Sequence, residues 1–134
     1  MRENKNMNSG NQKSKTTNPK FKLRVLMLSW EYPPYIIGGL GAHVAALAPA
    51  LVRAGVEVHV VTPRWKGGAA REIIGEKKSR ARKHVSTVHR VDPTTASITN
   101  FFADVQQTNL GLGEQGDALF QELGGFGIIH AHDW

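Results

Sequence analysis

The chain has 134 residues and no cysteine, and its 17 Lys and Arg residues exceed its 11 Asp and Glu residues to give a formal net charge of +6. This length suits one domain of ordinary size, and the lack of cysteine excludes disulfides, a thiolate nucleophile and any Cys-based metal site in the chain. No apolar run approaches the ~18 residues that a membrane-spanning helix needs, so we expect no membrane partner. The first twenty residues lack the apolar centre of a secretory signal, which predicts a cytoplasmic protein.

The excess positive charge lies in the first residues of the chain rather than in its body. Residues 1–24 hold seven basic residues and one acidic residue, whereas the remaining 110 residues hold ten of each sign. Residues 1–20 are polar almost throughout, a composition that predicts a disordered tail. A second basic run, residues 77–83, has no interleaved aromatic residues that could stack on bases, so we interpret it as a solvated surface. We therefore expect no nucleic-acid partner.

The segments after the tail alternate between strand and helix. Residues 22–29 are mostly apolar and have the length of a strand buried on both faces. Prolines and glycines make residues 30–41 a long, shaped loop. Residues 42–54 have apolar side chains at helical spacing, with Gly55 at the position of a C-terminal capping glycine and Pro49 expected to kink the helix or remove one hydrogen bond.

The next segments complete a parallel sheet. Residues 56–63 are rich in β-branched side chains, so they predict a second buried strand and, with the preceding strand and helix, a βαβ unit. Residues 64–83 predict an exposed excursion, and residues 84–91 predict a strand. Three glycines interrupt residues 101–123, which favours at most two short helices there. Residues 126–134 predict a strand that ends in a polar tip, and the whole pattern indicates the α/β class.

A glycine-rich turn stands at the carboxyl edge of the predicted sheet, where ligands of parallel α/β proteins bind. It reads Gly38-Gly39-Leu40-Gly41 and runs into the predicted helix, so its N–H groups and the helix dipole favour an anion such as phosphate. The alternative is that the glycines only permit a tight turn. Val44 stands where a dinucleotide fingerprint needs its third glycine, and a Walker lysine is missing as well.

The tip of the last strand is the second candidate site. His130 and His132 are expected on one face of the strand, with Asp133 pointing elsewhere. Two imidazoles can bind a metal, but a third ligand is not obvious nearby in the sequence, so we expect no metal site. His132 and Asp133 can instead hydrogen-bond sugar hydroxyls, and Trp134 offers an apolar face to a sugar ring. The alternative for each histidine is a purely structural role.

Taken together, these segments resemble a known enzyme family. Residues 25–34, 38–44 and 51–63 closely resemble the amino-terminal part of glycosyltransferase families 4 and 5, which include the glycogen and starch synthases. Residues 128–134 end in His-Ala-His-Asp-Trp, similar to the corresponding strand of glycogen synthases. The resemblance implies a partial Rossmann-like parallel sheet, the first part of the amino-terminal domain of a two-domain GT-B enzyme.

The resemblance also implies a function and roles for single residues. A retaining transferase of this kind moves a sugar, here expected to be glucose, from a nucleotide sugar such as ADP-glucose or UDP-glucose to a glucan or other glycan, without a metal or another cofactor. Gly38 and Gly39 would lie against the donor phosphates, and Asp133 would lie at the sugar-binding centre. His132 would be its neighbour in the catalytic site. His130 and Trp134 would be candidate contacts for the acceptor or the sugar.

Two departures from the family pattern affect these expectations. Ile36 stands where bacterial glycogen and starch synthases have a lysine before the glycine pair, which points to family 4 or a related α-glucan synthase group and leaves the acceptor open. The family's active-site histidine and its donor domain would follow residue 134, so we expect residues 21–134 to be an incomplete domain that is inactive alone. Its last strand is expected to be exposed or to need more chain to cover it. The alternative function is a non-catalytic module that binds a carbohydrate or a protein partner.

Overall fold

The computed structural model describes residues 23–74, 86–93 and 100–132. The elements in this part of the chain are β1 (Arg24–Ser29), α1 (Gly39–Arg53), β2 (Glu57–Pro63), β3 (Arg71–Ile74), β4 (Ser86–Val91), α2 (Phe101–Leu123) and β5 (Ile128–His132). These strands form a single sheet in the order β3-β4-β2-β1-β5, and neighbouring strands are parallel except for β3 and β4. The predicted α/β class with a mainly parallel sheet is confirmed. The predictions for residues 1–20 and 77–83 lie outside the described residues.

Helix α1 covers one face of the sheet and α2 covers the other. Along β1, side chains alternate between the two faces: Val25 and Met27 belong to the core under α1, whereas Leu26 packs with Leu112 and Leu119 of α2. A strand in this position is buried on both sides, which is why β1 and β2 are apolar almost throughout. The two cores therefore fix the sheet between the helices and leave its carboxyl edge for a binding site.

Helix α1 begins at Gly39, so the predicted start at residue 42 is three residues late. Gly39 and Gly41, which suggested a loop, lie instead in the first turn of the helix, where the N–H groups have no partners inside the helix. Pro49 lies inside the helix without ending it. Gly55, with φ 91°, follows the last residue of the helix cap, Ala54, as expected for a capping glycine.

The sequence prediction of at most two short helices before the last strand is wrong. This segment is one continuous helix of 23 residues, α2. Asn100 caps it by accepting a hydrogen bond from Phe102 N at 3.1 Å, and Gly124, with φ 76°, ends it. A Cβ at Gly116 would lie 3.3 Å from Leu26 Cδ2, so glycine there lets the helix approach the sheet closely. Tertiary packing thus offsets a helix-propensity cost of about 1 kcal/mol for each glycine.

The sheet also contains a strand that the sequence prediction missed. Residues 64–83 were expected to be an exposed excursion, yet Arg71–Ile74 form β3 and pair antiparallel with β4. Arg90 of β4 is 7% exposed and joins the two strands: its guanidinium lies 2.8 Å from Glu72 Oε2 and donates to Ala69 O at 2.9 Å. A four-residue strand held by a partner that is distant in sequence leaves no local pattern to predict it.

Strand β5 lies at one edge of the sheet. Its residues Ile128 and Ile129 are 48% and 63% exposed. The expectation of an exposed last strand is therefore confirmed.

Candidate functional site

The strand order creates a switch point between β1 and β5. From β1 the chain passes first to β2 on one side and later reaches β5 on the other side, and ligands of open α/β sheets bind in the crevice at such a point. Ser29 at the end of β1 pairs in register with His132 at the end of β5. The glycine-rich turn begins at Gly38, nine residues after the end of β1, and leads into α1. Both segments that the sequence singled out therefore reach the same edge of the sheet.

Gly38 and Gly39 stand at the beginning of α1 and are exposed. Gly38 is the N-cap residue, with an extended backbone at φ −139° and ψ −166°. A Cβ added at either glycine would have no described atom within 4 Å. Packing therefore does not require glycine at these two positions. The first-turn N–H groups have no partners inside the helix. Since the two glycines carry no side chains, they leave these N–H groups accessible to a ligand.

The carboxylate of Glu31 occupies part of the turn. Its Oε2 accepts hydrogen bonds from the backbone N–H groups of Ile37 and Gly38, each at 3.1 Å. A Cβ at Gly41 would lie 2.9 Å from Glu31 Cβ, so glycine at this buried position makes room for the acid. The negative charge is favourable near the positive end of α1. The N–H donors that remain for a ligand are consequently those of the first turn, from Gly39 onward.

A group of three histidines lies beside this turn. The ring centroid of His132 is 4.0 Å from that of His130 and 5.6 Å from that of His43 on α1. His132 is 8% exposed, and its Nε2 has no hydrogen-bond partner within the described part of the chain. Burial lowers the pKa of His132, and the neighbouring His130 and His43 lower it further. The imidazole is therefore neutral at pH 7, with one ring nitrogen able to bond a ligand hydroxyl.

The sequence predicted part of this arrangement. His130 and His132 share one face of β5, as expected, and His130 is the exposed member of the pair. Asp133 and Trp134 lie outside the described residues. His43 was missed, although it stands four residues after Gly39. This spacing places both residues on the same face of the helix, one turn apart.

Glu31 was also missed by the sequence analysis. The available signal was an acidic residue two positions after β1 and ahead of the glycines. Which N–H groups it binds depends on how the loop folds back, so only the structure identifies its partners.

A cavity of about 150 Å³ opens at the same edge of the sheet. Its lining includes Ser29 and Trp30 after β1, Ala131 of β5, and Asn109 of α2. Trp30 Nε1 donates to Asn109 Oδ1 at 2.7 Å, which holds the indole against the helix. This cavity lies on the α2 side of the sheet, and its lining includes neither the histidines nor residues of α1.

Among residues 23–74, 86–93 and 100–132, acidic and histidine side chains do not come together in a group of three or more that could hold a metal ion. Neither helix of these ranges has both the length and the apolar character to cross a membrane.

Comparison with known proteins agrees with the fold. Residues 24–134 match the family model of the starch synthase catalytic domain. The chain belongs to this glycosyltransferase family. It is 32% identical over 112 residues to an uncharacterised glycosyltransferase of Methanocaldococcus jannaschii, covering 84% of this chain and 25% of that protein. It is 32% identical over 122 residues to the glycogen synthase of Mycobacterium tuberculosis, covering 84% of this chain and 28% of that enzyme.

The match confirms the resemblance that the sequence motifs indicated. The sheet with one helix on each face is a partial Rossmann-like domain of a glycosyltransferase. The chain spans about a quarter of the length of these relatives, 25% of one and 28% of the other.

Proposed function

We propose that the chain is the amino-terminal portion of a retaining glycosyltransferase that moves glucose from a nucleotide sugar to a glucan or another glycan. The observation that carries this proposal is that the α1 N-terminus and His132 lie at the same edge of the sheet, where His132 Nε2 is buried and has no hydrogen-bond partner among the described residues. Family membership supports the reaction class, and a relative named glycogen synthase supports glucose as the sugar.

Each part of the site has a role in this proposal. Gly38 and Gly39 leave the first turn of α1 open, so its N–H groups and the helix dipole bind the donor phosphates. His132 is neutral and donates or accepts one hydrogen bond with a sugar hydroxyl. Asp133 and Trp134, which follow β5 directly, contact the sugar, and His130 does so from the rim. The reaction needs no metal, because helix N–H groups stabilise the phosphate charge.

Donor binding can be tested on this chain by nuclear magnetic resonance of the ¹⁵N-labelled protein. Addition of ADP-glucose or UDP-glucose is expected to shift the amide signals of Gly38 and Gly39 and the ring signals of His132. Gly39→Val should abolish these shifts by covering the N–H groups. Ala46→Val is the matched control, because it adds a branched side chain to an exposed position about two turns further along α1.

The outcome separates two explanations of the glycine pair. Shifts that Gly39→Val abolishes and Ala46→Val retains support donor-phosphate binding. If a nucleotide sugar shifts other signals of the protein but leaves those of Gly38 and Gly39 unmoved, the glycines serve only the turn and the donor role is wrong.

A further inference from the structure

Helix α1 does not supply a cap for its own N-terminus. Its N-cap residue, Gly38, has no side chain that could accept a hydrogen bond, and the first turn contains no acidic residue. Good N-cap residues carry a side-chain oxygen, and a negative charge at this end of a helix is stabilising. Glu31, seven residues before Gly38, provides both the oxygen and the charge.

Glu31 is held through its backbone and through its side chain. Its carbonyl oxygen accepts a hydrogen bond from Ser29 Oγ at 2.8 Å, and Ser29 is 1% exposed at the end of β1. Its Oε2 accepts hydrogen bonds from Ile37 N and Gly38 N, each at 3.1 Å. Glu31 therefore connects the residues immediately before α1 to the end of β1.

The carboxylate also packs closely against the first turn of α1. A Cβ at the buried Gly41 would lie 2.9 Å from Glu31 Cβ and 3.0 Å from Glu31 Oε2, closer than side chains pack. Displacing the carboxylate would break this contact and two hydrogen bonds to a charged group. We therefore expect the carboxylate to stay in place when a ligand binds at the turn.

The negative charge of Glu31 lies beside the proposed donor site without a compensating cation. Within residues 23–74, 86–93 and 100–132, Glu31 forms no ion pair. Ile36, which lies next to the turn and is 43% exposed, is apolar. A phosphate bound at the N–H groups from Gly39 onward is therefore close to one full negative charge. The repulsion between the two increases with the charge of the ligand.

We propose that Glu31 is a positioning residue of the donor site that also discriminates between ligands by their charge. The proposal rests on the proposed function, since it concerns phosphates that bind at α1. Glu31 holds the glycine-rich turn so that the N–H groups from Gly39 onward stay available. Its charge weakens the binding of a nucleoside diphosphate more than the binding of a nucleotide sugar.

The two ligands differ in the charge of the phosphate that is next to the sugar. In a nucleotide sugar this phosphate is linked to the sugar and to the other phosphate, so it carries one negative charge. When the bond between the sugar and the phosphate oxygen breaks, the electron pair stays on that oxygen, and the terminal phosphate carries about −1.5 to −2 at pH 7. Two unit charges about 6 Å apart in water repel enough to weaken binding about threefold. The arrangement thus favours release of the product.

The positioning role can be tested without a ligand. Glu31→Ala removes the carboxylate, so exchange of the Ile37 and Gly38 amides with water, measured by nuclear magnetic resonance, should become about tenfold faster. Glu31→Gln keeps an oxygen that accepts hydrogen bonds, and exchange should stay within about threefold of the wild type. Unchanged exchange in Glu31→Ala overturns the positioning role.

The charge effect can be tested by titrating the ¹⁵N-labelled 134-residue protein with ADP-glucose and with ADP. The amide signals of Gly39 and Leu40 report binding at the first turn. Glu31→Gln should bind ADP-glucose about threefold and ADP about five- to ninefold more tightly than the wild type does. Glu114→Gln is the matched control, because it removes the same charge from an exposed position on α2 and should change neither affinity.

Three results would overturn the charge effect. These are wild-type affinities of Glu31→Gln for both ligands, an equal gain for ADP and ADP-glucose, or the same gain in Glu114→Gln. Failure of the proposed donor role has a different signature. ADP-glucose then shifts other signals of the protein and leaves those of Gly38 and Gly39 unmoved in the wild type and in Glu31→Gln, while Glu31→Ala still speeds exchange of the Ile37 amide.

Discussion

Two buried histidines on neighbouring strands predict that the fold is sensitive to acid. His59 of β2 and His89 of β4 are 4% and 5% exposed, and their rings stack with His59 Nδ1 3.1 Å from His89 Nε2. His59 Nε2 lies 3.1 Å from Glu57 Oε1, which also accepts from Arg24 Nε at 3.1 Å. An ionised carboxylate only accepts hydrogen bonds, so His59 donates through Nε2 and accepts from His89 through Nδ1.

Both histidines are therefore held in the neutral form. Burial lowers the pKa of His89 to about 4, and electrostatic interactions with His59 and with Arg71 on β3 act in the same direction. Burial also lowers the pKa of His59, against the opposing effect of the Glu57 carboxylate and with help from Arg24 and Arg71. Protonation of His59 at Nδ1 would remove the acceptor that His89 uses.

The pKa of His89 gives the sign and size of the effect. In the unfolded chain a histidine titrates near 6.5, whereas His89 in the fold titrates near 4. Below pH 6.5 the unfolded chain binds more protons than the folded chain, so stability is complete above that pH and falls as the pH decreases towards 4. A difference of about 2.5 pKa units corresponds to a loss of about 3 kcal/mol near pH 4 from this residue alone.

Urea denaturation followed by circular dichroism between pH 7.5 and pH 4 measures this loss. His89→Gln removes the titrating group and keeps an N–H donor for His59, so its free energy of unfolding should fall by about 3 kcal/mol less than that of the wild type over this range. Val91→Ala, in the same strand, should lower stability by about 1 kcal/mol at every pH and keep the wild-type pH dependence. Parallel pH profiles for wild type and His89→Gln would refute the reasoning.

Three other predictions concern packing and activity. Gly41→Ala should cost about 1–3 kcal/mol in thermal or chemical unfolding, because the new Cβ meets Glu31, whereas Gly39→Ala should change stability little; equal losses would contradict the packing argument. Arg90→Leu removes hydrogen bonds to Ala69 O and Pro33 O and the pair with Glu72, so it should cost about 3 kcal/mol and speed amide exchange in β3; unchanged exchange there would disprove its anchoring role. Incubation of the chain alone with a nucleotide sugar and glycogen should give no transfer, and measurable incorporation of glucose would show that the 134 residues suffice.

The sequence by itself determined the elements whose signals are local. The apolar runs of β1 and β2 and the helical spacing of α1 follow from burial on both faces of a sheet and on one face of a helix, which leaves a pattern within a few residues. Gly38, Gly39 and His132 could be named from sequence for the same reason, since each stands next to the end of a strong element.

The tertiary structure decided the features that depend on residues distant in the chain. α2 remains helical through its glycines because Gly116 packs on β1, and β3 forms because Arg90 anchors it. The partners of Glu31, the contact of His43 with His132, and the pairing of His59 with His89 also appear only in the folded chain. Each of these residues is a weak signal in the sequence, because its interactions form only after the sheet has placed the strands in register.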